Sequence, residues 1–419
     1  MGTAEGHDTL IDQVRAEVRA WVSERWDPEL PLVEWRDRLL ESGWAVPAWP
    51  ERWYGRGLPD AVVPHVADEI VATGAVGLPV GGGVGLAGPT ILAHGPDHVR
   101  ERFLRSILTG RDTWCQLFSE PGAGSDLAGL TTRAELDGDE WVINGQKLWN
   151  TSAHHADFGI LVARTNWDVP KHRGLTYFAI PMRQPGVEVR PLKQMNFHSS
   201  FNEVFMSDAR IPKDYVIGEI GDGWKVALTT LAYERRMGTL GRPQYTEAAG
   251  RALDEARREA ASYYETYAWY PQRAGRVDLV RPRAEQTGRN TDPVVRQEIA
   301  RLIELQRCAQ WTASRARAAL DLGRPPGAEG SLGKLAISNI ARQAARVHSS
   351  IGGAAGLLSG DDAPDDGLIT EVLISVPAQS IAGGTDEIQR NIIGEKVLGL
   401  PREPAPEKDQ PFRDIPRNG

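Results

Sequence analysis

The segment FSEPGAGSD (residues 118–126) sets small residues and hydroxyls side by side. Such a stretch lets a backbone approach a ligand closely and donate N–H groups to it, or it serves as a plain turn. Downstream, INGQKLWNTS carries Trp149 and Thr151 two apart, the spacing that puts two side chains on one face of a strand. An indole and a hydroxyl placed so can pack against and hydrogen-bond a heteroaromatic ring; a core tryptophan is the other reading. A third piece, IAGGTDEIQRN (residues 381–391), places Gly383, Gly384 and Thr385 just ahead of a helix. The first amides of that helix can hold an anion such as a phosphate, or Asp386 simply caps it.

The elements that must position these segments follow from hydrophobic period. Leu10, Ile11, Val14, Val18, Trp21 and Val22 share one face of a 3.6-residue helix, and a second helix runs from Pro96 through Phe103 and Ile107 to a stop at Gly110. Residues 1–112 therefore read as helical. Residues 71–93 carry no charge over a length that could span a bilayer, yet Gly81, Gly82, Gly83, Pro79 and Pro89 interrupt them. They read as helix, glycine-rich loop, helix, inside protein, with no membrane span. From Thr131 the period changes to short runs, EWVIN, GILVART, LTYFAI, VEVRPL and NEVFM, separated by turn residues, with a hairpin at residues 137–139. About 100 residues of such strands suggest a small sandwich or barrel. Past Gly223 the helical period returns, with Val295, Ile299, Leu302 and Ile303 on one face. RPRAEQTGRNTD (residues 281–292) is polar and reads as a loop; the Pro-rich, charged residues 403–419 read as a disordered or surface-hugging tail. The boundaries are thus 1–112 helical, 113–222 β, 223–402 helical, 403–419 tail.

Composition narrows the partners. The 419 residues are 41% hydrophobic and 25% charged, an ordinary soluble mixture, and Lys+Arg 48 against Asp+Glu 56 gives a net charge of −8. No basic surplus is present to neutralise phosphates, so nucleic acid is excluded as a partner. Cys115 and Cys308 are too few for a disulfide framework, and the first residues lack a secretory pattern, so the cytoplasm is the expected compartment. His154, His155 and His198 lack metal-ligand spacing, and no metal is expected.

Taken together the three small-residue segments resemble the acyl-CoA dehydrogenase family over nearly the whole chain. The resemblance implies an α+β multidomain fold, with an N-terminal helical domain, a central β-barrel and a C-terminal four-helix bundle. It also implies FAD as cofactor. Residue by residue, it implies that Gln116, Leu117, Phe118, Ser119, Gly124 and Ser125 line the flavin, with Ser125 also near the thioester. Trp149, Asn150 and Thr151 would sit beside the isoalloxazine, Thr385 and Glu387 at the dinucleotide, and Gly352 and Gly353 at its adenine half.

The catalytic base marks a departure. Many family members carry a glutamate immediately before the Gly-Thr of the last motif, where this chain has Gly383. A branch resembling isovaleryl-CoA dehydrogenase supplies it from a Leu-x-x-Glu-Arg motif on an early bundle helix. LAYERRM puts Glu234 at that position, flanked by Tyr233 and Arg235, which with Gly383 and Gly384 would face the substrate. Charge patterning alone would make Glu234 a solvated, salt-bridged residue. The resemblance makes it the base that takes the α proton of an acyl-CoA while the β hydride passes to FAD, leaving a trans-2-enoyl-CoA. An electron-transfer flavoprotein would be the acceptor. A glycine at 383 also leaves room for branched or ring-bearing acyl chains. Two alternatives stay open: an oxidase using O2, and a non-catalytic subunit sharing FAD with a related chain. The second is motivated by the missing Arg-x-x-Phe-Gly motif, which in the family reaches a neighbour's FAD, and by LISVPAQSIAGG, which lacks the family's Arg-Asp ahead of the base. A homo-oligomer (dimer or tetramer) or a heterotetramer is the expected assembly.

Overall fold

In the computed structural model, residues 2–237, 243–321, 327–360, 363–402, 404 and 408–416 are described. The chain divides into two compact units, one made of residues 1–192, 200–266 and 407–419, the other of 193–199 and 267–406.

The first unit opens with helices α1 (Gly2–Arg25), α2 (Leu32–Glu41), α3 (Val63–Ala72), α4 (Gly88–His94) and α5 (Asp97–Thr109). The periodic stripe read from the sequence is the buried face of α1: Val14, Val18 and Val22 pack with Trp35 of α2, Val66 and Ile70 of α3, and Leu253 and Ala256 of a later helix (Arg251–Glu265). Pro96 caps the start of α5, and Gly110 ends it in the left-handed region, φ +79°, which a residue with a Cβ reaches only at a cost. The uncharged stretch resolves as expected into α3, a glycine loop, and a π-turn (Gly83–Ala87) leading into α4. Among the described residues no helix is long and apolar enough to cross a membrane.

Seven strands follow: β1 (Trp114–Leu117), β2 (Arg133–Asp137), β3 (Glu140–Lys147), β4 (Phe158–Arg164), β5 (Leu175–Pro181), β6 (Val187–Leu192) and β7 (Phe201–Pro212). The five runs read from the sequence are β3 to β7, and the hairpin pairs Asp137 with Glu140 across Gly138, φ +62°. The pairing order is β1-β4-β2-β3-β7-β6, with β5 on the other side of β4. Trp141 of β3 and Phe178 of β5 are three strand spacings apart in that order, about 14 Å on a flat sheet, yet their rings lie 5.3 Å apart. The sheet therefore curls around its own core of Leu117, Ile143, Leu161, Phe178 and Ile211. Its other face meets α4, α5 and helix α6 (Gly223–Met237) around Trp114, Phe118, Phe103, Ile107 and Val226. Helix α7 (Arg251–Glu265) completes this unit.

The tail departs from its composition. Phe412 is 3% exposed, its ring under the Arg164 guanidinium at 3.4 Å and beside Trp167, while its N–H donates to the Val169 carbonyl. One aromatic finding a slot and a cation in the sheet outweighs the proline-rich flanks.

The second unit holds α8 (Tyr270–Arg273), α9 (Val277–Gln286), α10 (Pro293–Asp321), α11 (Glu329–Gly352), α12 (Leu368–Ser375) and α13 (Asp386–Ile392). Val295 and Leu302 of α10 are buried against Val347 and Ile351 of α11, as the period predicted. The loop expected at residues 281–292 is a correction: its first half belongs to α9, with Pro282 inside the helix. The cause is tertiary. Val280 and Ala284 bury into the α10–α11 core, and Arg283 is buried between His348 Nδ1 at 3.0 Å and Asp365 at 2.7 Å.

Candidate active site

On β1, alternation sends Cys115 and Leu117 into the core of the curled sheet and Trp114, Gln116 and Phe118 to the face that α6 covers. Leu117 and Phe118 thus give their side chains to cores, and only their backbone is available to a ligand. Gln116 is a polar residue between two buried aromatics, and its Nε2 donates to Glu234 Oε2 on α6 at 3.3 Å. Glu234 is half-buried, as is Tyr233, which packs against the apolar face below. The Arg235 side chain lies outside the described residues.

The loop after β1 turns tightly, Glu120 and Ala123 exchanging backbone bonds of 3.0 and 3.1 Å. Gly124 and Ser125 are exposed, and among the described residues no atom lies within 4 Å of where a Cβ of Gly122 or Gly124 would stand. Ser119 is half-buried and accepts from the Leu148 N–H at 2.9 Å, which lays this loop beside the Trp149 segment. There the strand expectation is corrected: β3 ends at Lys147, and Trp149 stands in the left-handed region, φ +63°. That conformation is strained for a bulky residue and ends the ladder. Trp149 and Thr151 therefore do not share a strand face. The indole is 54% exposed and rests edge-on against Phe201, 5.6 Å between centroids; Thr151 is half-buried. Asn150 is buried, donates from Nδ2 to the Gln116 carbonyl at 2.8 Å, and exchanges backbone bonds with Asn202 of β7. Its Oδ1 is buried with no partner among the described residues.

Two residues beneath this edge went unnoticed in the sequence. Lys147, fully buried, donates to Glu120 Oε1 and to the Phe118 carbonyl, both at 2.9 Å. Glu120 also accepts from the N–H groups of Thr131 and Thr132 at 2.7 and 2.9 Å. Burial pushes the Glu120 carboxyl upward, but Lys147 and the threonine donors outweigh it and hold it at about 2. Burial lowers the Lys147 ammonium against the pull of Glu120. The pair rivets the two loops together. The inward register of β3, Trp141, Ile143 and then Lys147, was the available signal.

In the second unit, Gly383 and Gly384 lie in the left-handed region, φ +68° and +84°, and Thr385 caps α13, accepting from the Ile388 N–H at 3.3 Å. Its hydroxyl keeps a proton to donate. Glu387 is exposed and paired with Arg390. Asp386 is no cap: it is buried against Lys334 and Arg342 at 3.1 and 3.2 Å. Gly352 lines a cavity of about 100 Å³ with Arg283, Ile351 and Thr370, and Gly353 is exposed, φ +52°. Among the described residues no group of three or more His, Cys, Asp or Glu could hold a metal ion.

An exposed flat indole, a side-chain-free loop edge and an unsatisfied buried acceptor fit a planar heteroaromatic group with N–H donors, as a flavin is. Family models agree along the chain. The acyl-CoA dehydrogenase N-terminal domain matches residues 5–111, the middle domain 115–209 and the C-terminal domain 276–398. The chain belongs to the acyl-CoA dehydrogenase family of flavin-dependent oxidoreductases. It is 34% identical to the acyl-CoA dehydrogenase IpdE1 of Mycobacterium tuberculosis, over 94% of this chain and 98% of that one. Similar solved structures include the Tcur3481-Tcur3483 steroid ACAD, at 26% identity and TM-score 0.64, covering 94% of this chain and 98% of that one. The ChsE4-ChsE5 complex from Mycobacterium tuberculosis is similar too, at 26% identity and TM-score 0.63 with the same coverage.

Proposed function

We propose that this chain takes a proton from the α carbon of an acyl-CoA thioester with the Glu234 carboxylate, on the way to a trans-2-enoyl-CoA. The observation that carries the reading is the Gln116–Glu234 bond: it brings a half-buried carboxylate to the strand that runs directly into the 118–126 loop. An α proton of a thioester is acidic enough for a carboxylate within hydrogen-bond reach and sheltered from water. FAD, when bound, supplies the hydride acceptor. Trp149 offers a face to its ring, Asn150 Oδ1 an acceptor, and Ser119, Gly124 and Ser125 an open edge. The assignment of Gly352, Gly353, Thr385 and Glu387 to the dinucleotide rests on the resemblance alone. An electron-transferring flavoprotein is the acceptor this reading requires; peroxide formation on turnover in air would instead make the chain an oxidase.

For the substrate we favour bulky, ring-bearing or branched acyl chains. Position 383, where many family members carry a glutamate, has no side chain in this one, and a steroid ACAD is among the similar structures. Anaerobic mixing of the purified, FAD-loaded protein with a panel of acyl-CoAs tests both points. Bleaching of the flavin with formation of the 2-enoyl product is expected, fastest for ring-bearing chains. No bleaching with any thioester would overturn the reading, and a strict preference for short straight chains would overturn the substrate class.

A second reading, an FAD-sharing partner of a related chain, has its own support. The family's Arg-x-x-Phe-Gly motif is missing, and the nearby Arg283 is committed to His348 and Asp365 of its own chain. The ChsE4-ChsE5 structure is a complex of two differently named chains.

A further inference from the structure

Arg164 of β4 has no exposed surface, and its guanidinium bonds the main chain of its neighbours. Nη2 donates to the Ala128 carbonyl at 2.7 Å, Nε to that of Leu130 at 3.1 Å and Nη1 to that of Lys171 at 3.1 Å. Its backbone N–H donates to the Thr132 carbonyl at 2.7 Å. Glu120 accepts from the N–H groups of Thr131 and Thr132 in the same stretch. Residues 128–132 are thus gripped through carbonyls by a cation and through N–H groups by an anion, and the 118–126 loop runs into them through the single turn Leu127–Gly129. Lys171 reaches back to that loop, its Nζ donating to both Asp126 carboxylate oxygens at 2.8 Å.

A buried guanidinium holds carbonyl groups firmly while water is kept from it. The tail contributes to that shelter. The centre of the Phe412 ring lies 3.4 Å from the guanidinium carbon of Arg164 and 5.5 Å from the Trp167 ring. Backbone bonds lay the tail along the loop that carries Lys171: the Phe412 N–H donates to the Val169 carbonyl at 2.9 Å and the Arg413 N–H to the Trp167 carbonyl at 3.0 Å, while the Arg413 side chain pairs with Asp168.

We propose that Phe412 is a positioning residue for flavin binding: stacked on the Arg164 guanidinium, it keeps the 126–132 backbone in one conformation, and with it the open edge that Ser119, Gly124 and Ser125 offer the flavin. The inference rests on that loop lining the flavin. An aromatic face on a guanidinium counts most where both are desolvated, so loss of the ring is transmitted to the carbonyls of residues 128 and 130 and does not stop at the tail.

Two measurements on the full chain test this: amide hydrogen exchange without FAD, and release of FAD from the loaded protein, followed by the fluorescence of free flavin. In Phe412→Ala, exchange at the Leu130, Thr131 and Thr132 amides should quicken by about 10- to 30-fold, and FAD release should quicken with it. The amides of Tyr177–Ile180 on β5 should keep wild-type protection, which shows the sheet intact. Phe412→Tyr, which keeps the ring, should restore both rates. Unchanged exchange at residues 130–132 would overturn the proposal, whatever FAD release does, and so would a Phe412→Tyr chain that behaves as Phe412→Ala. Faster exchange with unchanged FAD release would show that the tail steadies a loop the flavin does not touch, which overturns the placing of the flavin there.

Discussion

A lysine with no exposed surface persists only where its charge is answered, and Lys147 is answered by Glu120 and a carbonyl. Removing one partner strands the other. Lys147→Met should therefore lower stability by about 3–5 kcal/mol and loosen FAD binding, as urea unfolding and flavin titration would show. The same pair predicts acid sensitivity. The Glu120 carboxyl is held at about 2 against an ordinary 4.5, so its contribution is complete above the ordinary value and lost as pH falls from 4.5 towards 2. The destabilisation caused by Glu120→Gln should accordingly be largest near neutrality and shrink over that range; an unchanged gap would count against the assignment. At this scale the sequence was uneven. Its motifs pointed to Glu234, Gln116 and Asn150, which the fold brings into one bonded chain; the register of β3 marked Lys147 as inward, but its partner Glu120 lies 27 residues away, so local pattern could not pair them.

Elements whose hydrophobic period is regular were legible, and those fixed by tertiary contact were not. Helices α1, α5 and α10 and strands β3 to β7 follow their stripes, because an apolar face dictates both period and partner. Helix α9 escaped because its buried face is only Val280, Ala284 and an arginine, and Pro282 signals a break. Strand β1 escaped because four residues are too few to show alternation. The turn at Trp149 was hidden by a strand-like sequence, since nothing local announces φ +63° in a tryptophan. Of the two readings of the tail, the surface-hugging one describes residues 411–415, where one aromatic outweighs the prolines. Phe412→Ala should release residues 408–416, so that trypsin cuts after Lys408 and Arg413 at a rate the wild type resists. Equal cleavage of both proteins would show that the ring is not the anchor.

For the whole molecule, the α, β, α order came from periodicity and the family from three short motifs, two independent routes to one fold. What the order leaves open is whether one chain suffices. Purified alone, the protein should carry one FAD per chain and turn over if the first reading of its function holds; flavin loading only after addition of a related chain would favour the shared-site reading. The proposed chemistry turns on the carboxyl group of residue 234. Its most direct measurement is an anaerobic single turnover of the FAD-loaded protein, wild type against Glu234→Gln, with a reactive acyl-CoA. Loss of flavin reduction by at least about 1,000-fold, with the oxidised flavin still bound, is the predicted result; a general base contributes typically 10²–10⁴-fold. Reduction at the wild-type rate would contradict it.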